Sequence, residues 1–163
     1  MSDSHHHDVA VHAVVITVST TRTEKTDLSG KIIQNLFKAA DMQCANPILV
    51  SDEAVKIAEA VSSALSGEGN CIVVNGGTGI TRDDVTIEAV TPLFEKTLAG
   101  FGELFRMKSV TQVGTAVILS RASAGVVNGK AVFCIPGSPK ACQLATEEII
   151  VPEIKHILTH AGQ

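Results

Sequence analysis

Runs of apolar residues alternate with helical patterns along this chain. Continuous apolar runs, which are typical of buried parallel strands, cover residues 9–18, 44–50 and 70–74. Polar and apolar residues at the i, i+3, i+4, i+7 spacing then predict helices over residues 29–40, 51–66 and 85–94. Ser29 is the expected N-cap of the first helix. This part of the chain therefore predicts a repeated strand–helix unit.

The remaining pattern is more mixed. A helix is predicted over residues 101–109, and strand-like runs follow at residues 113–120 and 125–135. Asn128-Gly129 interrupts the last run and predicts a hairpin turn. Ser138 as N-cap and Pro139 as first residue predict a final helix to about residue 160, with a kink at Pro152. The order predicts an α/β fold, a mostly parallel sheet with helices on both faces and an antiparallel hairpin.

Composition limits the possible functions. The chain has 163 residues, of which 45% are hydrophobic and only 3% aromatic. We therefore expect one domain with an aliphatic core over residues 9–163. A disordered polar tail is expected over residues 1–8. A net charge of −4 without a basic run argues against nucleic-acid binding. No apolar run reaches membrane-spanning length, and the N-terminus lacks the apolar core of a signal peptide.

The cysteines and histidines give no clear site. Four cysteines without CxxC spacing fit small apolar positions in a reducing, cytoplasmic setting. His12, His156 and His160 are scattered, and a structural role is the preferred interpretation for them.

A glycine-rich loop carries the strongest chemical signal. Gly76, Gly77 and Gly79 follow a predicted buried strand, and Asp83 and Asp84 come just after them. Glycine allows positive φ and close approach of the backbone to a ligand. The loop matches neither GxGxxG nor a phosphate loop that ends in GK[ST], so a generic dinucleotide-binding domain is the weaker alternative. The loop could be only a tight turn, or its amides could bind phosphate while the carboxylates bind metal.

Four segments are expected to meet at one edge of the sheet, because the carboxyl ends of parallel strands share an edge. They are residues 19–30, Asp52, the glycine loop and residues 136–140. Each has a structural alternative: Asp52 and one of the two adjacent aspartates could begin helices, and Ser138 with Lys140 could either start a helix or form an anion cradle. Together these groups favour the handling of phosphate with Mg²⁺.

The ordered set of motifs resembles the molybdopterin-adenylyltransferase family, the MoaB/Mog proteins, and is closest to the MoaB branch. The resemblance extends from residue 11 to about residue 157 and rests on these motifs: Thr17-Val18-Ser19, Asp27-Leu28-Ser29-Gly30, Asp52, Gly76-Gly77-Thr78-Gly79, Arg82-Asp83-Asp84-Val85-Thr86, Gly100-Phe101-Gly102-Glu103, Leu119-Ser120-Arg121 and Pro136-Gly137-Ser138-Pro139-Lys140. The first loop departs from the family, because Thr20-Thr21-Arg22 stands where some members have an acid or Asn.

The resemblance implies a three-layer α/β/α fold, a homotrimer or hexamer, and Mg²⁺-dependent transfer of AMP from ATP to the terminal phosphate of molybdopterin. It also implies catalytic roles for Asp52 and Asp84. Substrate contacts are implied for these residues: Ser19, Ser29, Gly30, Gly76, Gly77, Thr78, Gly79, Glu103, Ser120, Arg121, Pro136, Gly137, Ser138, Pro139 and Lys140. The alternative is a carrier or scaffold that binds molybdopterin without catalysis.

The same resemblance and a Gly-rich segment with two phenylalanines give an expectation for assembly. This segment is expected at the surface, with Phe101, Phe105 or both near a boundary between subunits.

Overall fold

One mixed sheet organises the computed structural model, which describes residues 9–163. The predicted tail over residues 1–8 lies outside the described residues. The strands are β1 (His12–Val18), β2 (Gln43–Cys44), β3 (Ile48–Val50), β4 (Cys71–Asn75), β5 (Lys96–Thr97), β6 (Ser123–Val127) and β7 (Lys130–Ile135). Their order is β2-β1-β4-β7-β6-β5, with β3 also paired to β1. β1 is parallel to β2, β3 and β4, β4 is parallel to β7, and β6 is antiparallel to β5 and β7.

Helices cover both faces of this sheet. They are α1 (Leu28–Ala39), α2 (Ala54–Ser66), α3 (Thr86–Val90), α4 (Ala99–Val113), α5 (Pro139–Ala145) and α6 (Val151–Ala161). Short 3-10 turns follow α3 (Thr91–Leu93) and α4 (Gly114–Leu119), and a π-helical turn (Thr146–Ile150) joins α5 to α6. No helix within residues 9–163 is long and apolar enough to cross a membrane.

Alternate residues of the central strands point to opposite faces and build two cores. On one face Val15 shares a core with Phe37 of α1 and with residues of α4, α5 and α6. On the other face Ile16 shares a core with Ile57 of α2 and with a residue of α3. The fold is therefore the predicted three-layer α/β/α arrangement with a mostly parallel sheet. It has one antiparallel pairing beyond the predicted hairpin, because β5 adds to the outer edge of β6.

The predicted strand over residues 113–120 is wrong. α4 continues to Val113, and a 3-10 turn begins at Gly114, whose φ is +60°. Ile118 is 82% exposed, so this apolar run does not enter the sheet. The place beside β7 is taken by β6, which the Asn128-Gly129 turn joins to it at φ +48° and +75°. A local turn with the correct hand closes this hairpin, and β5 pairs with the other edge of β6.

Two other predicted elements are altered by proline. The strand predicted over residues 44–50 is divided into β2 and β3, and Pro47, which lacks an N–H donor, lies between them. The helix predicted over residues 85–94 is shorter, because α3 gives way at Thr91 to a 3-10 turn that contains Pro92. The last helix begins as predicted, with Ser138 accepting a hydrogen bond from the amide of Ala141. Its regular pattern is interrupted by the π-helical turn, just before Pro152.

Asp27, and not the predicted Ser29, caps helix α1. The Asp27 carboxylate accepts hydrogen bonds from the Gly30 amide at 2.9 Å and from the Thr17 hydroxyl at 2.8 Å. The carboxylate is buried, and the Arg22 guanidinium lies 3.9 Å away. Serine and aspartate are both good caps, so local sequence could not separate them. The tertiary contact with Thr17 on β1 favours the aspartate.

We expect Asp27→Ala to lower the free energy of unfolding by about 2–3 kcal/mol, since it removes a helix cap and leaves buried donors unpaired. Urea denaturation measures this change. Glu24→Ala, an exposed acid in the same loop, is the matched control. A loss below about 0.5 kcal/mol, the usual range for a surface substitution, would contradict the structural role of Asp27.

Phe101 and Phe105 are not surface residues, which corrects the sequence-based expectation. They are 7% and 2% exposed, and Phe101 packs edge-on against Phe133 of β7 at a centroid distance of 5.1 Å. Gly102 is also buried in α4, where a Cβ would lie 2.6 Å from the Ala122 carbonyl. Gly102 therefore allows α4 to approach the Ala122 backbone closely, and the phenylalanines on either side of it enter the core.

Candidate functional site

Four loops meet at the carboxyl edge of the parallel strands. Ser19, just after β1, donates its amide to Val50 at the end of β3 at 2.8 Å. Gly76, just after β4, donates to Ile135 at the end of β7 at 3.0 Å. These backbone bonds extend the strand pairing into the loops. The segments that the sequence analysis expected at one edge are thus in contact.

Close backbone packing explains the glycines of this edge. Gly76 and Gly77 have φ of +100° and +68°, which side chains with a Cβ rarely adopt. A Cβ on Gly76 would lie 2.4 Å from the Val18 carbonyl, and one on Gly137 would lie 3.1 Å from the Gly76 Cα. The two glycine-containing loops therefore touch through their backbones. The amides of Gly77, Thr78 and Gly79 donate to no atom of residues 9–163.

Arg121 binds the back of the glycine loop. Its Nε donates to the carbonyls of Thr78 at 3.2 Å and Gly79 at 2.9 Å, and its Nη2 donates to the Asp84 carbonyl at 3.3 Å. Its Nη1 forms an ion pair with Glu88, and this hydrogen bond is the main reason that the pKa of the Glu88 carboxyl lies below its usual value. Arg121 thus donates its hydrogen bonds to protein acceptors and holds the loop in place. It lines neither of the two cavities described below.

Asp84 braces the same loop from its other end. Its Oδ2 accepts from the Thr81 amide at 3.0 Å and from the Thr81 hydroxyl at 2.8 Å. A Cβ on Gly79 would lie 2.5 Å from this oxygen, so Gly79 leaves room for the carboxylate. Asp84 closes a turn and does not cap α3, whose N-cap residue is Val85.

Two cavities open on either side of the contact between the loops. The Asp52 cavity, of about 700 Å³, is lined by polar residues of the first loop together with Asp52 and Asp83. The Ser138 cavity, of about 820 Å³, is lined by the glycine loop, residues 136–141 and part of α4 with the turn after it. Gly77 and Gly137 line both cavities. The shared glycines, called the wall below, lie where a polar space adjoins a more apolar one.

The Asp52 carboxylate is available for chemistry, because helix α2 does not use it as a cap. That helix begins at Ala54 after Glu53. Asp52 Oδ2 instead accepts a hydrogen bond from the Thr20 hydroxyl at 2.7 Å. Asp83 and Arg22 line the same cavity. This cavity therefore combines two carboxylates and one cation, which is suitable for a phosphate chain that carries a metal ion.

The Ser138 cavity has one apolar wall and one polar wall. Phe105, Val113, Val117 and Leu119 form the apolar wall, and the glycine loop with residues 136–140 forms the polar one. A flat ring system fits beside the first wall, while phosphate oxygens fit beside the second. The apolar residues come mostly from the run that the sequence analysis had assigned to a strand.

The residues predicted from the resemblance separate into three groups. The Asp52 cavity contains Asp52, Ser19 and Gly76, with Gly77 and Gly137 shared. The Ser138 cavity contains Asp84, Thr78, Gly79, Ser120, Pro136, Ser138, Pro139 and Lys140. Neither cavity is lined by Ser29, Gly30, Glu103 or Arg121. Asp52 and Asp84, the two predicted catalytic acids, therefore line different but adjoining cavities.

Ser29 and Gly30, which lie outside the cavities, have packing roles. Ser29 is buried and donates to the Gly137 carbonyl at 2.7 Å. Gly30 leaves space for the Asp27 carboxylate, which a Cβ would approach to 2.2 Å. Glu103 is exposed on α4. Sequence reasoning assigned no role to Arg22, although its position in the divergent first loop was a usable signal.

Thiol chemistry is not supported at this site. All four cysteines are buried, as expected for small apolar residues. Burial raises the pKa of Cys142 and Cys134 to about 12 and that of Cys44 to about 11. These thiols are neutral at pH 7 and are poor nucleophiles. Within residues 9–163 no group of three or more His, Cys, Asp or Glu side chains is placed to hold a metal ion.

Comparison with known proteins places the chain in a family. Residues 14–156 match the profile of a domain described as a probable molybdopterin binding domain. The chain belongs to this molybdopterin-binding family. A relative from Bacillus subtilis, molybdenum cofactor biosynthesis protein B, is 46% identical over 150 residues, which cover 91% of this chain and 88% of the relative.

Solved structures of this family have the same fold. The crystal structure of a molybdenum cofactor biosynthesis protein B superimposes with a TM-score of 0.90 at 42% identity, covering 94% of this chain and 96% of the other. The crystal structure of the tungsten cofactor synthesizing protein MoaB from Pyrococcus furiosus superimposes with a TM-score of 0.86 at 38% identity. The match covers 94% of this chain and 98% of the other. The molybdopterin-binding family and its MoaB branch are thus confirmed as the resemblance indicated.

Proposed function

We propose that this protein acts in molybdenum or tungsten cofactor biosynthesis and transfers AMP from ATP to the terminal phosphate of molybdopterin, releasing pyrophosphate. The observation that carries the proposal is the pair of adjoining cavities, one polar and one partly apolar, which share Gly77 and Gly137. A nucleotide and a pterin with a phosphate need such a combination of spaces. Membership of the molybdopterin-binding family supports the identity of the pterin.

The proposed step is a substitution at phosphorus. An oxygen of the terminal phosphate of molybdopterin attacks the α-phosphorus of ATP, a new P–O bond forms, and the bond from the α-phosphorus to the bridging oxygen breaks. Pyrophosphate leaves with that oxygen, so the reaction needs no oxidant, reductant or protein nucleophile. Catalysis then depends on positioning and on neutralising charge.

The chain's own residues fit these two tasks. The unpaired amides of Gly77, Thr78 and Gly79 would bind phosphate oxygens, and Arg121 keeps the corresponding carbonyls on the other side of the loop. Asp52 and Asp83 would hold Mg²⁺, which takes one or two carboxylates and completes its ligands with phosphate and water. When bound, Mg²⁺ offsets phosphate charge. Asp84 would orient the acceptor while it keeps the loop closed.

A carrier that binds molybdopterin without catalysis is the competing function. The contacts of Asp84 favour the carrier, because its carboxylate accepts two hydrogen bonds from Thr81 and so serves to hold the loop. The position of Asp52 favours the enzyme, because its carboxylate lies in a polar cavity and is not consumed by a helix cap.

Release of pyrophosphate separates the two functions. Purified protein is incubated with ATP, Mg²⁺ and molybdopterin, and parallel samples omit one component each. The enzyme is expected to release one pyrophosphate per adenylylated molybdopterin and none when molybdopterin or Mg²⁺ is omitted. Binding of molybdopterin without any pyrophosphate would establish the carrier instead.

We also propose a homotrimer or hexamer, now with a different contact surface. Met107, Val110 and Ile118 are 66%, 49% and 82% exposed on α4 and the turn after it, which is a large apolar surface for a monomer. Light scattering at micromolar concentration is expected to give at least three times the 17.0 kDa chain mass. Ile118→Asp should shift the mass towards that of the monomer, with Glu59→Gln on α2 as control. A monomeric wild-type protein would refute the assembly.

A further inference from the structure

Two side chains hold one carbonyl in the wall between the cavities. Arg22 donates from Nη2 to the Gly137 carbonyl at 3.0 Å, and Ser29 donates from Oγ to the same oxygen at 2.7 Å. They lie 115 and 108 residues before Gly137 in the chain, in the first loop and the first turn of α1. Two donors occupy both lone pairs of the oxygen. The orientation of this peptide is therefore set by tertiary contacts.

Peptide geometry transmits that orientation to the next amide. The bond between Gly137 and Ser138 is trans, so the N–H of Ser138 points opposite to the C=O of Gly137. The Ser138 amide therefore points away from Arg22 and Ser29, and it donates to no acceptor within residues 9–163. Ser138 lines the Ser138 cavity. A peptide turned the other way would present a carbonyl oxygen, which repels phosphate.

We propose that Arg22 and Ser29 are positioning residues, which hold the Gly137–Ser138 peptide with its N–H turned towards a phosphate group of the substrate. This inference rests on the proposed adenylyl transfer and adds two residues that act through the backbone. Ser29 contributes from behind the wall, because it is fully buried and lines neither cavity. Its role therefore differs from the substrate contact that the family resemblance implied.

The shape of the guanidinium matters as well as its charge. While Nη2 donates to Gly137, Nη1 lies 3.9 Å from the buried carboxylate of Asp27, and the Arg22 side chain is 30% exposed. A planar fork spans two such partners, whereas a lysine ammonium is a point charge on a flexible stem. Arg22→Lys therefore distinguishes positioning from simple attraction of phosphate by a cation.

The kinetic test compares Arg22→Gln, Arg22→Lys and Ser29→Ala with the control Lys25→Gln, which removes an exposed cation from the same loop. We expect kcat for adenylyl transfer to fall at least about tenfold in Arg22→Gln and Ser29→Ala, while KM for ATP changes less than about threefold. In Arg22→Lys, kcat should fall at least about fivefold, since lysine keeps the positive charge but lacks the planar guanidinium. Wild-type kcat in Ser29→Ala, or in Arg22→Lys, would overturn the inference.

A spectroscopic test does not depend on turnover. In ¹⁵N-labelled wild-type protein, the Ser138 amide resonance should shift on addition of inorganic phosphate or molybdopterin, and the shift at equal ligand concentration should be at least about threefold smaller in Arg22→Gln and Ser29→Ala. Dispersed spectra confirm that each variant is folded. No shift at Ser138 in wild-type protein, or an equal shift in the variants, overturns the inference. A shift without pyrophosphate release would reject the proposed reaction and retain the positioning role.

Discussion

Asp52→Asn is expected to lower the rate of adenylyl transfer at least about 100-fold, which corresponds to about 2.7 kcal/mol of transition-state stabilisation. The carboxylate lines a polar cavity with Asp83, where it would hold Mg²⁺ against the phosphate chain of ATP. The fold should remain intact, because asparagine still accepts the hydrogen bond from Thr20. The measurement is pyrophosphate release under saturating ATP, with the melting temperature as a check on folding.

Glu59→Gln on α2 is the matched control, since it neutralises an exposed acid on the helix that follows Asp52. Asp84→Asn is expected to give a loss of the same order as Asp52→Asn, about 100-fold, if it orients the acceptor. Asp83→Asn tests the second carboxylate of the Asp52 cavity. Near-normal turnover in the Asp52 variant would remove Asp52 from the mechanism and favour the carrier.

Gly77→Val is expected to abolish detectable binding of ATP and also to destabilise the protein by about 3 kcal/mol or more. The φ of +68° is unfavourable for a β-branched residue, and a Cβ would lie 2.3 Å from the Thr86 hydroxyl. That hydroxyl is buried and donates to the Gly76 carbonyl at 2.8 Å. The structure therefore indicates that the losses of binding and of stability are both large.

Urea denaturation and calorimetric titration with ATP measure the two effects. Gly100→Val is the control for stability, because a Cβ at Gly100 would meet no atom within 4 Å and its φ is not in the left-handed region. A Gly77 variant with wild-type stability but no ATP binding would show that the glycine serves only the ligand. A variant that is destabilised yet binds ATP normally would show that this loop is only a structural turn.

The sequence predicted this fold well where the signal is local. Apolar runs bounded by turns marked β1 and β4, and Asn128-Gly129 marked the hairpin, because the residues that form these elements also carry their conformational preferences. Local pattern was misleading for residues 113–120. Apolar residues at an exposed surface or beside a cavity give the same signal as a buried strand, and only the tertiary structure places these residues in a turn outside the sheet.

For the site, the sequence by itself determined which groups meet, because parallel strands bring the loops that follow them to one edge. The glycines of the loop and the motif from Pro136 to Lys140 also identified the molybdopterin-binding family. Only the tertiary structure decided how each group is used. Arg121 faces the back of the loop, Asp52 and Asp84 line different cavities, and Arg22 and Ser29 hold a carbonyl more than 100 residues away. Such directions depend on contacts between residues distant in the chain, and no local pattern encodes them.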